Sequence, residues 1–212
     1  MESRGAAFQD EEKALLLIAS LLHDIGHGPF SHLFETFCKN ELEIEFKHEN
    51  WTKQIIKEDE EINKVIRGIN VDYPQRLVEL FDGIITPHYL TAIISSQLDV
   101  DRFDYLLRDT YMTGARYGNF DHEWILKHLS IEDIPNKSIV KVPDDKWPTI
   151  KTIVIDGKKG LSALEQHILG RHYMYKHVYL HKTIRAAEAM LRLIMKRAAH
   201  LINEGEKVGN SA

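Results

Sequence analysis

A single cysteine, Cys38, is all that the 212 residues carry. No intramolecular disulfide can staple this chain, and a reducing compartment suits it. Long apolar runs are missing too: no stretch approaches the ~20 residues of a membrane span. The opening Met1-Glu2-Ser3-Arg4-Gly5 lacks the layout of a secretory signal. The expectation is therefore a cytoplasmic protein with no membrane partner. Excess positive charge is absent, since 27 Lys and Arg stand against 32 Asp and Glu, a formal net of -5. That argues against a stable nucleic-acid partner held by bulk charge, while leaving room for a local basic pocket that takes phosphates. Repeats, low-complexity tracts and linkers are also absent. The chain reads as one domain over 1–212, long enough for one sizeable core.

Histidine, by contrast, is abundant, with 12 residues that cluster. The densest stretch is Leu21-Leu22-His23-Asp24-Ile25-Gly26-His27-Gly28-Pro29-Phe30-Ser31-His32. An apolar run, Ala14 to Leu22, delivers His23 and Asp24 into a break made by Gly26, Gly28 and Pro29, where the backbone cannot stay regular. Imidazole and carboxylate side by side suit a hard-to-intermediate divalent cation. A charged aspartate at the inner end of a buried helix is costly unless it is paired or ligates a metal. One isolated histidine would more often be a core or surface residue. His23, Asp24, His27 and His32 together favour metal chemistry.

Hydrophobic spacing predicts helices over Glu11–His23, Pro29–Lys39, Trp51–Ile66, Gln75–Asp82 and Ala92–Met112. A further turn or two is predicted at Trp124–Leu129. A long helical region follows, from Ser162 to about Asn203, in which only Gly170 offers a break. The first helix is apolar nearly all round and is expected inside a bundle. Branched and alternating residues at Ser138–Val142 and Thr149–Ile155 predict a small β-hairpin around 138–156. The fold class is mainly α. His32 and Glu35 are three apart and hence neighbours; Asp101, Tyr105, Arg108 and Asp109 share a helix face. Asp101 is embedded between Val100 and Phe103, which balances a functional role against a solvated one. His48 has no periodicity of its own and on the residues alone fits a solvated loop better. Arg171, Tyr175, Tyr179 and Lys182 recur at helical spacing, as an amphipathic surface or as a face for a triphosphate and sugar.

Three separated strings in order, LLHDIGHGPFSHLFE, SSQLDVDRFDYLLRDTYMTGARYG and Arg-x3-Tyr-x3-Tyr-Leu-His-Lys, resemble the HD-domain deoxynucleoside triphosphate triphosphohydrolases. The resemblance runs from about Glu12 to Glu188. It implies an HD-domain helical bundle that splits a dNTP into a deoxynucleoside and inorganic triphosphate. It implies His23, Asp24 and Asp101 as metal ligands. His27 and His32 would contact the triphosphate and act near the scissile bond, and His48 would be a catalytic histidine oriented by Glu35. Arg102, Tyr105 and Asp109 would surround phosphate and sugar. Arg171, Tyr175, Tyr179, His181 and Lys182 would form the far wall of the pocket. The implied cofactor is one divalent metal, with no choice made among Mn, Fe, Mg, Zn and Ni, and with room for a second Mg carried by the triphosphate. The implied partners are a deoxynucleotide substrate and, in the complete protein, further copies of the chain in a homo-oligomer.

One feature departs from the family. Its chains carry a further metal-ligand histidine in an Arg-x-x-His-Ser-type string ahead of the HD helix, and they continue well past the equivalent of Ala212. Met1 to Asp10 holds no histidine. The expectation is a core lacking both flanking regions, with weak metal binding, low turnover and first-helix leucines left uncovered. Two other readings stay open. One is a different HD-type phosphohydrolase, a nucleotidase or phosphodiesterase, with the same doublet. The other is a catalytically impaired nucleotide-binding fragment.

Overall fold

Residues 8–85, 87–135 and 149–205 are described by a computed structural model of the chain. Among them are ten α-helices and one two-stranded sheet. No described helix is long and apolar enough to cross a membrane.

Helix α1, Asp10–Leu22, opens on Asp10, Glu11 and Glu12, which suit the positive end of its dipole. The Glu12 carboxylate also accepts the Gln9 backbone N–H at 3.0 Å. Its burial is one-sided rather than all round. Leu15, Leu16 and Ala19 are buried, whereas Leu17 and Leu21 are 72% and 81% exposed. Helix α2 spans His32–Glu41, starting later than the sequence predicts because Phe30 and Ser31 take positive φ. The predicted Trp51–Ile66 helix is two helices, α3 (His48–Glu58) and α4 (Glu60–Ile69). Asp59 divides them: its carboxylate accepts the Glu61 and Ile62 N–H groups and so starts a new helix instead of continuing the old one. Helix α5, Tyr73–Phe81, admits Pro74 in its first turn, where no N–H is needed.

The predicted Ala92–Met112 helix is likewise broken, into α6 (Tyr89–Ile94) and α7 (Val100–Thr113). Asp99 caps α7 by accepting the Arg102 N–H at 2.8 Å, and it accepts the Ser96 N–H at 3.1 Å. Gly114 ends α7 in the left-handed region, φ 72°, which glycine enters without a Cβ penalty. Helix α8 is His122–Lys127. Strand β1 (Leu129–Pro135) pairs antiparallel with β2 (Thr149–Ile155), Ile131 opposite Ile153. The hairpin thus begins about a strand's length before the expected Ser138–Val142, which lies outside the described residues. Leu129, Ile131 and Ile134 supply the apolar positions that β1 uses.

Helix α9 is Leu161–Met174, followed by a π-helical turn at Tyr175–Tyr179 and by α10, Lys182–Asn203. The break falls at Leu180-His181, not at Gly170. Gly170 serves close packing instead, since a Cβ there would lie 2.7 Å from the Tyr117 carbonyl oxygen. His181 caps α10, its ring nitrogen accepting the Thr183 N–H at 3.3 Å.

Two apolar clusters build the interior. Leu15, Ile56, Leu77, Leu80 and Leu90 join α1, α3, α5 and α6. Leu106, Phe120, Ile125, Ala163 and Met174 join α7, α8 and α9. The C-terminal end of α1, from the first cluster, meets the N-terminal end of α7, from the second.

Candidate active site

Where those helix ends meet, His23 and Asp24 follow the last turn of α1, and Asp101 sits in the first turn of α7. One donor atom from each lies within 4.8 Å of the others. His23 Nε2 is 3.2 Å from Asp24 Oδ2 and 3.5 Å from Asp101 Oδ1. That nitrogen is buried and makes no well-formed hydrogen bond. Donors bound to one cation at ~2.1 Å sit roughly 3.0–3.4 Å apart, so the spacing fits a shared cation. His23 Nδ1 faces the Ser20 carbonyl oxygen at 3.0 Å, a contact that fixes the tautomer leaving the Nε2 lone pair inward. With no cation between them, the nearby Asp101 and then Asp24 carboxylates raise the His23 pKa to about 10, against the effect of burial; a bound cation would take the place of that proton. His23 in turn holds the Asp24 carboxyl below its ordinary range. Two carboxylates and one imidazole therefore form a focus for positive charge. The donor set fits a divalent metal and leaves coordination positions open for water or substrate, as catalytic metals require.

Beside this triad is a second group, His27, His32, Glu35 and His48. Glu35, on α2, organises it. Its Oε1 accepts both the Nδ1–H of His48 at 2.5 Å and the His48 backbone N–H at 2.9 Å. Its Oε2 is 3.2 Å from His32 Nδ1. Burial pushes the Glu35 pKa up, but the His48 backbone, the His48 ring and His32 outweigh it and hold the carboxyl at about 2. His48 presents its ring because it is the first residue of α3. Its ring stacks on that of His27, centroids 3.8 Å apart. Burial, then the neighbouring His48, depresses the His27 pKa. His27 Nε2 is 3.5 Å from Asp24 Oδ1. Asp24 thus faces the triad with one oxygen and the histidine group with the other. His32 is the exposed member, its side chain 74% accessible. It opens into a cleft of about 360 Å³ between α2 and α10, lined also by Thr36, Arg185 and Arg192.

The Arg/Tyr wall is only partly assembled as the sequence predicts. Tyr179 donates to Asp109 Oδ2 at 2.7 Å. Burial and that bond push its pKa well up, and burial with Tyr175 raises Tyr105 to about 12. The Tyr105 and Tyr175 rings pack on Tyr179, and the Arg171 guanidinium lies 5.6 Å from the Tyr175 ring centre. Arg171 also donates to Gln97 Oε1 at 3.0 Å. Arg108 pairs with Asp104 at 2.6 Å. His181 is used as a helix cap, and among the described residues no hydrogen bond or ion pair joins Lys182 to the wall. Arg102 is paired with Asp99. Asp99, 4% exposed, escapes the sequence reading. Its signal was present, an Asp three residues before Arg102 where a helix could start. Thr52, which hydrogen-bonds to the His23 and Gly26 backbone, left no such signal.

Comparison with known proteins shows the family and the fold. Residues 2–109 match the HD domain family. An uncharacterized Bacillus subtilis protein, YwfO, is 37% identical over 198 residues, covering 93% of this chain and 40% of the relative. A crystal structure of a phosphohydrolase from Bacteroides thetaiotaomicron superposes with a TM-score of 0.75 at 32% identity, over 99% of this chain and 45% of that one. The deoxynucleoside triphosphate triphosphohydrolase SAMHD1 of Mus musculus is 24% identical over 202 residues, 82% of this chain and 30% of its own length. The chain therefore spans less than half the length of these relatives.

Proposed function

The chain belongs to the HD domain family, and on that premise we propose that it is the core of a metal-dependent phosphohydrolase that cleaves dNTPs to deoxynucleoside and inorganic triphosphate. The observation that carries this reading is Glu35 holding His48 and His32 beside the His23–Asp24–Asp101 triad, with Asp24 facing both groups. A divalent cation held by the triad would supply polarisation of a phosphoryl oxygen and acidification of an attacking water. Water attacks the α-phosphorus as the bond from that phosphorus to the 5′-oxygen breaks; the proton the water sheds passes to solvent, from which His48 is later reprotonated. His48 donates its Nε2 proton to the departing 5′-oxygen, since Glu35 occupies its Nδ1–H and so aims Nε2 at the substrate. His27 stacks on His48 and so limits where its ring can turn. Arg102 and Arg171 take up phosphate charge, and Tyr105, Tyr175 and Tyr179 pack on the sugar.

The choice of a nucleoside triphosphate over other HD substrates is supported by that tyrosine wall and by the likeness to the mouse enzyme. Product analysis of a dNTP incubated with the protein and a divalent metal tests it. Deoxynucleoside and triphosphate are expected. Deoxynucleoside monophosphate with pyrophosphate, or diphosphate with phosphate, would count for a different HD phosphohydrolase.

A further inference from the structure

We propose that Thr52 is a positioning residue that keeps the His48 imidazole in register with the metal triad. The kinetic part of its test rests on the hydrolytic reading above; the spectroscopic part does not. Thr52 lies one helical turn after His48 on α3 and is 1% exposed. A hydroxyl buried that deeply needs both its donor and its acceptor capacity used. Both are used. Thr52 Oγ1 accepts the Gly26 N–H at 3.0 Å and donates to the His23 carbonyl oxygen at 2.9 Å. These two backbone groups bracket Asp24. One hydroxyl therefore ties the loop carrying His23, Asp24 and His27 to the helix that begins at His48.

The contact is backbone against backbone. A Cβ on Gly26 would fall 2.3 Å from the His48 carbonyl oxygen and 2.3 Å from the Thr52 nitrogen. Glycine at 26 lets α3 seat directly on the loop, and Thr52 locks the seat. The lock matters because the His27 and His48 rings stack at 3.8 Å. A shift of about 1 Å in a positioned group can cost ~10²-fold in rate. Glu35 orients the His48 ring about its own axis, while Thr52 fixes where the helix bearing that ring stands. No other described hydrogen bond joins the His23–Gly26 segment to α3.

The test compares Thr52→Val, which keeps the shape and removes the hydroxyl, with Thr52→Ser, which keeps the hydroxyl. Thr52→Val is expected to retain bound metal, keep KM within a few-fold and lose ~10² in kcat. Thr52→Ser is expected to restore most of that loss. By NMR, the His48 Nδ1 proton, in its short bond to Glu35, should resonate far downfield in wild type and Thr52→Ser and shift or broaden in Thr52→Val. If Thr52→Val lowers Tm but leaves kcat, KM and that resonance unchanged, Thr52 is merely structural and the proposal is overturned. If the wild type releases no triphosphate but Thr52→Val still moves the resonance, the reaction is misassigned and the positioning role stands. Should Thr52→Val fail to fold, hydrogen exchange on the wild type decides. The Gly26 amide should exchange as slowly as core helix amides, and exchange at the rate of open loop amides would overturn the proposal.

Discussion

Replacing Glu35 by glutamine keeps the shape and removes the charge. The wild-type carboxylate accepts from the His48 backbone, the His48 ring and the His32 ring. A glutamine oxygen can accept at one of these sites, but its NH₂ meets a donor at another. The Glu35 pKa falls from 4.5 to about 2, and at ~1.36 kcal/mol per unit the ionised form contributes roughly 3 kcal/mol to stability. Because the folded value is the depressed one, this contribution is complete above pH 4.5. It is lost as pH falls toward 2. Glutamine resembles the protonated acid, so the stability gap between wild type and Glu35→Gln should be roughly 3 kcal/mol at pH 7 and shrink to roughly 1 kcal/mol at pH 3. Urea unfolding at the two pH values measures it. The same variant should lose ~10²–10⁴ in turnover, as expected when a general acid loses its orienting partner. A gap that is absent at pH 7, or equally large at pH 3, would refute the idea that Glu35 is ionised and holds the two imidazoles. Wild-type turnover in the variant would remove it from the reaction.

Asp101→Asn should weaken metal binding by more than ~10²-fold, beyond the loss typical of an outer-sphere partner; metal analysis after equilibrium dialysis checks this, and unchanged content would exclude Asp101 as a ligand. His48→Ala should cost ~10²–10⁴ in kcat with bound metal retained, and an unchanged rate would reassign the acid to His32. Tyr179→Phe removes a bond to a carboxylate and should destabilise the fold by ~1.5–3 kcal/mol, read by urea denaturation; a loss near zero would show that the Tyr179–Asp109 contact is not made in solution. Gly26→Ala should be among the least tolerated single changes, because the new Cβ meets backbone atoms that cannot move aside. It should lower Tm and loosen the Gly26–Thr52 contact, and a wild-type Tm would contradict the backbone contact.

The residue types of the site were legible because they break composition rules locally. A helix of leucines that ends in His23-Asp24 has few explanations besides a metal, and a carboxylate flanked by Val100 and Phe103 invites the same question. Helix ends were less legible. Asp59 and Asp99 each interrupt what the hydrophobic spacing reads as one helix, since periodicity counts apolar faces and not side chains that compete for backbone N–H groups. At Asp99 the interruption also shapes the candidate site. It starts α7 at Val100 and so places Asp101 in the first turn, aimed at His23, and it pairs Arg102. The C-terminal break was misplaced at Gly170 for the opposite reason: there glycine marks a close approach to Tyr117, not a loss of helix.

The second histidine group shows why spacing alone could not finish the site. Glu35 and His32 are neighbours through one helical turn, a relation that any helix provides. Glu35 and His48 are 13 positions apart, across Leu42 and the acidic stretch that follows, and their 2.5 Å contact exists only because α3 is docked on the loop after α1. That docking depends on Gly26 having no side chain and on Thr52 having a hydroxyl. Neither residue is unusual in sequence. A threonine among Trp51, Ile55 and Ile56 reads as one more helix position, and its value appears only when the two backbone groups it satisfies are known. The proposed metal triad is thus a property of two helix ends, each carrying its own signal. The proposed acid–base group is a property of how three segments meet, and its signal is distributed over side chains that are ordinary one at a time.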